Sequence, residues 1–361
     1  MSSKFKPMNK IINLCLFLLF TNALTAQSFY ERYGAETESY ILNMHLINTL
    51  DQLSAILYSV DKQSNSILRY DLTGQLTKDG ACALKTYDDS DITFTGLLEG
   101  HELKLESKNF GNNAAIRFYP AYPEGSVKMS YTHKKSTAKL NDENIFSPSA
   151  GTETALLLPE NNRPLSSLLL GFYRIDNSDD LSPEELINQE HSKFFEQYRR
   201  LNADLEGHSA SLNWERSQHL QVLMNDAGIL CIEKASYAFT GGAHGLTNVQ
   251  YIIADIQRGA HLSTEDIFKE GYERELAPIL TAKVRARYAI PSEQSLTEAG
   301  LFIDYVEPNQ NIYVTFQGIG FYFNNYDIAP YAMGHTDIFF QFKEIKHLIK
   351  PDSIVNVLLA E

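Results

Sequence analysis

At 361 residues, 43% of them hydrophobic, the chain is long enough for two domains, or for one domain with an added module. A formal net charge of −14 argues against nucleic acid and anionic lipid as partners. It suits a cationic protein partner, or simply solubility.

The first residues read as an export signal. Lys4, Lys6 and Lys10 form a positive head, and Ile11–Phe20 is an apolar run interrupted by Asn13. Ala23-Leu24-Thr25-Ala26 then offers a small-residue cleavage site before Gln27. The run falls short of the roughly 20 apolar residues that span a bilayer. Cys15 follows Ile12-Asn13-Leu14, without the small residue that precedes a lipidated cysteine. The expectation is a cleaved signal at 1–26 and a mature chain in the periplasm, the cell envelope or the medium, with no integral membrane segment. Cleavage removes three lysines and no acid, which takes the formal charge from −14 to −17. Cys82 and Cys231 remain, both in apolar strand-like surroundings of different modules. They read as buried free thiols rather than a disulfide.

Residues 28–50 carry Phe29, Tyr30, Tyr33, Tyr40, Ile41, Leu42 and Leu46, and fit either a short strand or a helical lead-in. From about 53 to 135, short apolar-alternating runs recur every 8–12 positions, as antiparallel β-structure requires. The runs are Ala55–Val60, Ile67–Leu72, Cys82–Tyr87, Ile92–Leu97, Leu103–Glu106, Ala115–Tyr119 and Val127–Tyr131. Together they predict a β-meander module. Residues 134–180 mix strand signals with loop: Glu153–Leu158 is apolar, Asn161-Asn162-Arg163-Pro164 reads as a break, and Leu165–Ile175 is apolar again.

Ser182, Pro183 and Glu185 carry the signature of a capped helix start, and Ile187, Phe194, Phe195, Tyr198 and Leu201 keep helical spacing to about Leu205. A strand is expected at Ser209–Trp214 and another at Leu220–Met224. Gly228–Phe239 and Leu246–Ile256 are strand-like and flank Thr240-Gly241-Gly242-Ala243-His244-Gly245, which predicts a hairpin with an irregular, imidazole-bearing turn. Ser263-Thr264-Glu265-Asp266 again has capping chemistry. A helix follows over about Tyr272–Tyr288, with a further helical turn within 292–299. Strands return at Ile312–Gln317, Gly320–Asn325 and Asp337–Phe342, and Glu344–Ile349 closes the chain as a short helix. This order is α+β, with antiparallel sheets and two main helices, rather than a βαβ alternation.

The catalytic signals are incomplete. Thr86-Tyr87-Asp88-Asp89-Ser90 resembles the first motif of NodB-type polysaccharide deacetylases, but no two histidines lie four apart to complete their metal site, so it reads as a polar turn. No Gly-x-Ser-x-Gly elbow and no phosphate-binding glycine loop occurs. His244 is a candidate contact or general base, with a turn-locking hydrogen bond as its structural alternative. His335, near Asp337, would join it only if the last strands share its sheet. No metal and no cofactor is predicted.

Two stretches carry a family resemblance. One is Tyr237-x-Phe239-x-Gly241-Gly242-Ala243-His244-Gly245, followed after a strand by Ile256-x-x-Gly259-x-x-Leu262-Ser263-x-x-Asp266-Ile267-Phe268. The other is Gly320-x-x-Phe323-x-x-x-Tyr326-x-Ile328-Ala329-Pro330-Tyr331-Ala332-x-Gly334. In this order they resemble the extracytoplasmic domain pair shared by RsiV-type anti-sigma factors, which recognise lysozyme, and PdaC-type peptidoglycan deacetylases. The resemblance spans roughly 130–350. It implies a PdaC-like domain at 131–258 and an RsiV-like domain at 259–350, which follow the signal peptide at 1–26 and the β-rich module at 27–130 read from the residue pattern and leave a tail at 351–361. It implies no catalysis, because the deacetylase chemistry sits in a separate domain. Only ten residues precede the apolar run, so the sigma-binding segment of the anti-sigma factors is not expected. The resulting expectation is an exported envelope protein that binds a lysozyme-like cationic protein or a cell-wall peptidoglycan glycan. Its candidate contacts are His244, Gly241, Gly242, Gly245, Tyr326, Tyr331 and His335. The alternative is a cell-wall hydrolase, or a deacetylase-related enzyme, using His244.

Overall fold

The computed structural model describes residues 27–49, 51–88, 90–111, 115–176, 180–203 and 209–359. The expected signal at 1–26 and Cys15 lie outside the described residues. The first hundred form a closed, eight-stranded antiparallel barrel: β1 (Phe29–Glu36), β2 (Tyr40–Asn48), β3 (Leu53–Asp61), β4 (Ile67–Leu76), β5 (Ala81–Thr86), β6 (Thr93–Glu99), β7 (Glu102–Lys108) and β8 (Ala115–Pro120). The segment at 28–50 is therefore two strands. Six of the seven meander runs are β3–β8. The seventh, Val127–Tyr131, leads into a different sheet.

Alternation explains the barrel. Cys82 and Leu84, Leu103 and Leu105, and Ile116 and Phe118 point inward and fill the interior. β2 and β3 break this rule and are apolar on both faces. Leu53, Ala55 and Leu57 face the barrel interior, while Ile56 and Tyr58 on the opposite face join the core of the rest of the protein. A strand sandwiched between two cores loses its polar face.

The second layer is a six-stranded sheet in the order β14-β13-β12-β11-β10-β9. Its strands are β9 (Met129–Lys139), β10 (Ser149–Pro159), β11 (Trp214–Asp226), β12 (Ile229–Phe239), β13 (Leu246–Asp255) and β14 (Ala260–His261). Only β10 and β11 run parallel, and two helices make the crossover between them: α1 (Arg163–Tyr173) and α2 (Pro183–Asn202). α2 begins as expected, with a capping box between Ser182 and Glu185. α1 was missed. The Asn162 side chain accepts from the Leu165 amide at 3.0 Å and Pro164 lies in the first turn. The apparent break is thus a helix start. Leu165, Leu169 and Tyr173 keep four-residue spacing and are buried. Ser209–Trp214 is likewise not a strand. Ala210–Leu212 is a 3-10 turn, started by Ser209 and leading into β11, which contains the expected run Leu220–Met224.

The third layer holds α3 (Thr264–Ile267), α4 (Tyr272–Arg287), a three-stranded antiparallel sheet of β15 (Ile312–Val314), β16 (Gly318–Phe323) and β17 (Thr336–Gln341), and α5 (Phe342–Ile345). Residues 292–299 form turns rather than a helix. Leu276, Leu280 and Val284 of α4 share one core with Phe321 and Phe340, and with Met224, Cys231 and Ile253 of the larger sheet. The architecture is α+β, with mostly antiparallel sheets. Cys82 and Cys231 are free and buried.

Candidate functional site

The β12–β13 connection is a hairpin whose register runs from Ile229–Asp255 to Ala238–Leu246. Its turn needs its glycines. Gly241 and Gly242 adopt φ of 92° and 110°, where a side chain is strained. At Gly245 an added Cβ would come 2.3 Å from the Tyr237 hydroxyl, so the phenol lies across bare backbone. This frame fixes His244. Its Nδ1–H donates to the Gly245 carbonyl at 2.9 Å, and its ring stacks on Tyr331 with centroids 4.2 Å apart and planes at 24°. Tyr331 opens a 3-10 turn after Pro330, and Tyr326 lies 5.9 Å from it. Both tyrosines are open to solvent, Tyr326 at 48% and Tyr331 at 39%. His244, Tyr331 and Tyr326 are therefore one ring array, and Gly241, Gly242 and Gly245 are the backbone beneath it. His335 is exposed and elsewhere in the ring pattern: it stacks on Tyr322 at 5.1 Å.

Beside His335 runs a more buried row. Tyr251 donates its hydroxyl to Glu233 at 2.9 Å across the β12–β13 ladder. Tyr313 donates to both oxygens of Asp337 at 3.0 Å. The Tyr251 ring packs on Tyr313 at 4.8 Å and on Tyr322 at 5.6 Å. Burial raises the carboxyl pKa of both Glu233 and Asp337, while their tyrosine donors pull the other way. Gly320 makes room for this row, since a Cβ there would lie 2.1 Å from the Tyr313 ring. From the barrel, Arg69 approaches the acids, paired to Asp71 at 2.7 Å.

Two asparagines join the small sheet to the large one. Asn311 Oδ1 accepts from the Tyr251 amide at 3.0 Å, and Asn324 Oδ1 from the Val249 amide at 2.7 Å. Both side-chain amides donate to the Val249 carbonyl. Beyond its short pairing with β14, the edge of β13 is thus satisfied by side chains instead of a strand.

α4, the three small strands and the Tyr326–Tyr331 loop form one contiguous segment, and this segment has relatives. Residues 265–343 match a family model, described as "Protein of unknown function (DUF3298)". Over 65% of its length the chain is also similar to a solved DUF3298 family member from Bacteroides fragilis, at 20% identity and a TM-score of 0.57, covering 98% of that chain. At that identity the likeness shows a shared fold. A DUF3298 family protein from Pseudomonas aeruginosa matches 62% of this chain and 95% of its own, at 19% identity and a TM-score of 0.45. No curated protein matches.

The DUF3298 region supplies Tyr326, Tyr331, His335 and Asp337. The hairpin that supplies His244 precedes it, so the ring array is assembled across the boundary of the matched segment. His244, His335 and Asp337 do not form a metal site. Among the described residues no group of three or more His, Cys, Asp or Glu is arranged to hold an ion, and Asp337 is engaged by Tyr313. The Thr86–Ser90 fragment is the β5–β6 turn. Thr86 and Ser90 hydroxyls lie 3.0 Å apart, and Asp88 accepts from the Ser90 amide at 3.1 Å. Asp89 lies outside the described residues.

Sequence reasoning missed Glu233, Tyr251, Tyr313, Asn311 and Asn324. The first two are exact cross-strand partners across the predicted hairpin, and register counting from the glycine turn finds them.

Proposed function

We propose that the protein is an exported envelope binding protein, and that its DUF3298 region and the preceding hairpin act together as a PdaC-like and RsiV-like pair that takes a cell-wall glycan. The observation that carries this reading is the solvent-open ring array of Tyr326, Tyr331 and His244, held rigid by a glycine turn. Exposed aromatic faces backed by fixed neighbours offer the apolar surface on which the C–H faces of a sugar ring stack, at little entropic cost. His244 acts as a contact: its ring bonds the Gly245 carbonyl and stacks on the Tyr331 phenol. The export signal read in the sequence supports placement in the envelope.

The test is binding of soluble peptidoglycan fragments by calorimetry. Tyr331→Ala and Tyr326→Ala are expected to weaken binding about tenfold each while leaving the melting temperature unchanged, as a lost stacking face of an exposed residue should. Absence of binding by the native protein sinks the glycan reading. Retention of lysozyme at low salt, released at high salt, would instead assign a cationic protein partner to the acidic surface. Turnover of labelled muropeptides that His244→Ala abolishes would make the protein an enzyme.

A further inference from the structure

The barrel is closed by its weakest seam. β1 pairs with β2 through eight residues, from Phe29–Asn48 to Glu36–Ile41. It meets β8 at only two, Tyr33–Pro120 and Gly34–Tyr119. The same register would next pair Ala35 with Phe118 and Glu36 with Arg117, and neither pair forms. Meanwhile β8 remains paired with β7 back to Glu106–Ala115. Past Gly34 the two strands therefore diverge, each paired on its outer side and unpaired on the side facing the other. The space between them is a cleft of about 850 Å³. Its floor is apolar, made by Leu42, Phe110 and Ile116, and its lips carry the exposed side chains of Ile41 and Tyr119.

Phe110 fixes the floor. It reaches in from the β7–β8 connection and packs on Tyr40, Tyr70 and Phe94 at 5.4, 5.7 and 5.5 Å. The barrel interior is thereby plugged with side chains, so the cleft is a groove along the seam rather than a mouth into the barrel.

We propose that this seam binds an extended peptide segment of a partner protein by strand addition, with the segment's backbone pairing to the open edge of β8 and an apolar side chain resting on Leu42, Phe110 and Ile116. An open β8 edge beside an apolar floor matches the two requirements of β-augmentation: main-chain groups for affinity and a pocket for alternate side chains. A fatty acyl chain would use the floor but leave the edges unpaired. This site is separate from the ring array, on the opposite module.

The test uses the full chain and a soluble peptide of alternating threonine and valine flanked by lysines, followed by fluorescence anisotropy. Two forms of the peptide carry N-methyl groups on alternate amides, one on each edge. Binding is expected for the parent peptide. The form methylated on the β8-facing edge should bind about tenfold or more weakly, and the other form should retain affinity, because each removes hydrogen-bond donors from one side only. Ile41→Lys combined with Tyr119→Lys changes exposed lip residues and should lower affinity without lowering the melting temperature. Three results would overturn the proposal: no binding of the parent peptide, equal binding of both methylated forms, or displacement of a fluorescent fatty acid without any peptide binding.

Discussion

Arg32 on β1 and Asp226 at the end of β11 are 194 residues apart in the chain and 2.5 Å apart in space. The guanidinium is almost wholly buried, at 2% exposure, and also donates to Asn43 and to the Ala121 carbonyl. This ion pair, with the Tyr58 hydroxyl donating to the Leu223 carbonyl at 2.7 Å, fastens the barrel to the central sheet. A buried pair adds little net stability compared with apolar replacements, but removing one partner strands a charge. Asp226→Ala should therefore cost about 3–5 kcal/mol in denaturant unfolding. The double change Arg32→Met with Asp226→Leu should recover much of that loss. A single change costing less than about 1 kcal/mol would show that the pair does not hold the modules together.

His45 lies in the same interface and predicts an acid-sensitive fold. Asn225 donates to the Tyr30 hydroxyl at 3.2 Å, and that hydroxyl shares a hydrogen bond of 3.0 Å with His45 Nδ1. Wholly buried, the ring is held in its neutral form. Burial, and then the nearby Arg32 charge, push its pKa from 6.5 down to about 3. His191 follows, pushed to about 4 by burial and then by Arg216. The unfolded chain binds these protons between its own pKa and the folded one, and the native state does not. Stability is then full above pH 6.5 and falls as pH drops toward 3, at up to about 1.4 kcal/mol per pH unit for each histidine. His45→Gln keeps an acceptor for Tyr30 and should flatten this slope by roughly half in urea titrations at pH 7, 6, 5 and 4, His191 supplying the rest.

Gly320 tests the packing under the tyrosine row. Its added Cβ would sit within 2.1 Å of the Tyr313 ring, which is held by Asp337 and by Tyr251. The ring cannot swing away without breaking those contacts. Gly320→Ala is expected to destabilise by about 1–3 kcal/mol, as overpacking does, whereas Gly151→Ala, with open space around it, should stay within about 1 kcal/mol. Thermal melts of the two variants make the comparison. Equal melting temperatures would mean that the Tyr313 ring is freer than its bonds imply.

The strands were legible because period-two alternation survives wherever one face meets a core and the other meets water, as in β5, β7 and β8. Closure into a barrel was not, since nothing local marks that β1 returns to β8 through only two residue pairs. The segment at 28–50 was ambiguous for a physical reason: Tyr30 and Ile47 serve the central sheet's core while Tyr33, Leu42, Met44 and Leu46 serve the barrel, so alternation is blurred. α1 was hidden by residues that break chains in one context and begin helices in another, Asn162 and Pro164. The glycine turn was readable as a hairpin that carries a histidine. Its stacking partner Tyr331 is 87 residues away, a pairing that only the three-dimensional arrangement supplies.

The two thiols offer a last, independent check on the layering. Cys82 lies inside the barrel and Cys231 between the central sheet and the DUF3298 region, and they belong to different cores. Burial pushes each thiol up to about 12, and the Cys231 sulfur also accepts from the Val314 amide at 3.4 Å. Since the thiolate is the reactive form, neither should react with a thiol reagent at neutral pH until its own core opens. Reaction then reports opening of two separate cores. If the barrel opens independently, Cys82 should label at a lower urea concentration than Cys231, read by peptide mass after quenching. If the Arg32–Asp226 contact makes one cooperative unit, both should label together, and Asp226→Ala should split them. Rapid labelling of Cys231 in the native protein would contradict the packing of β15 against β12.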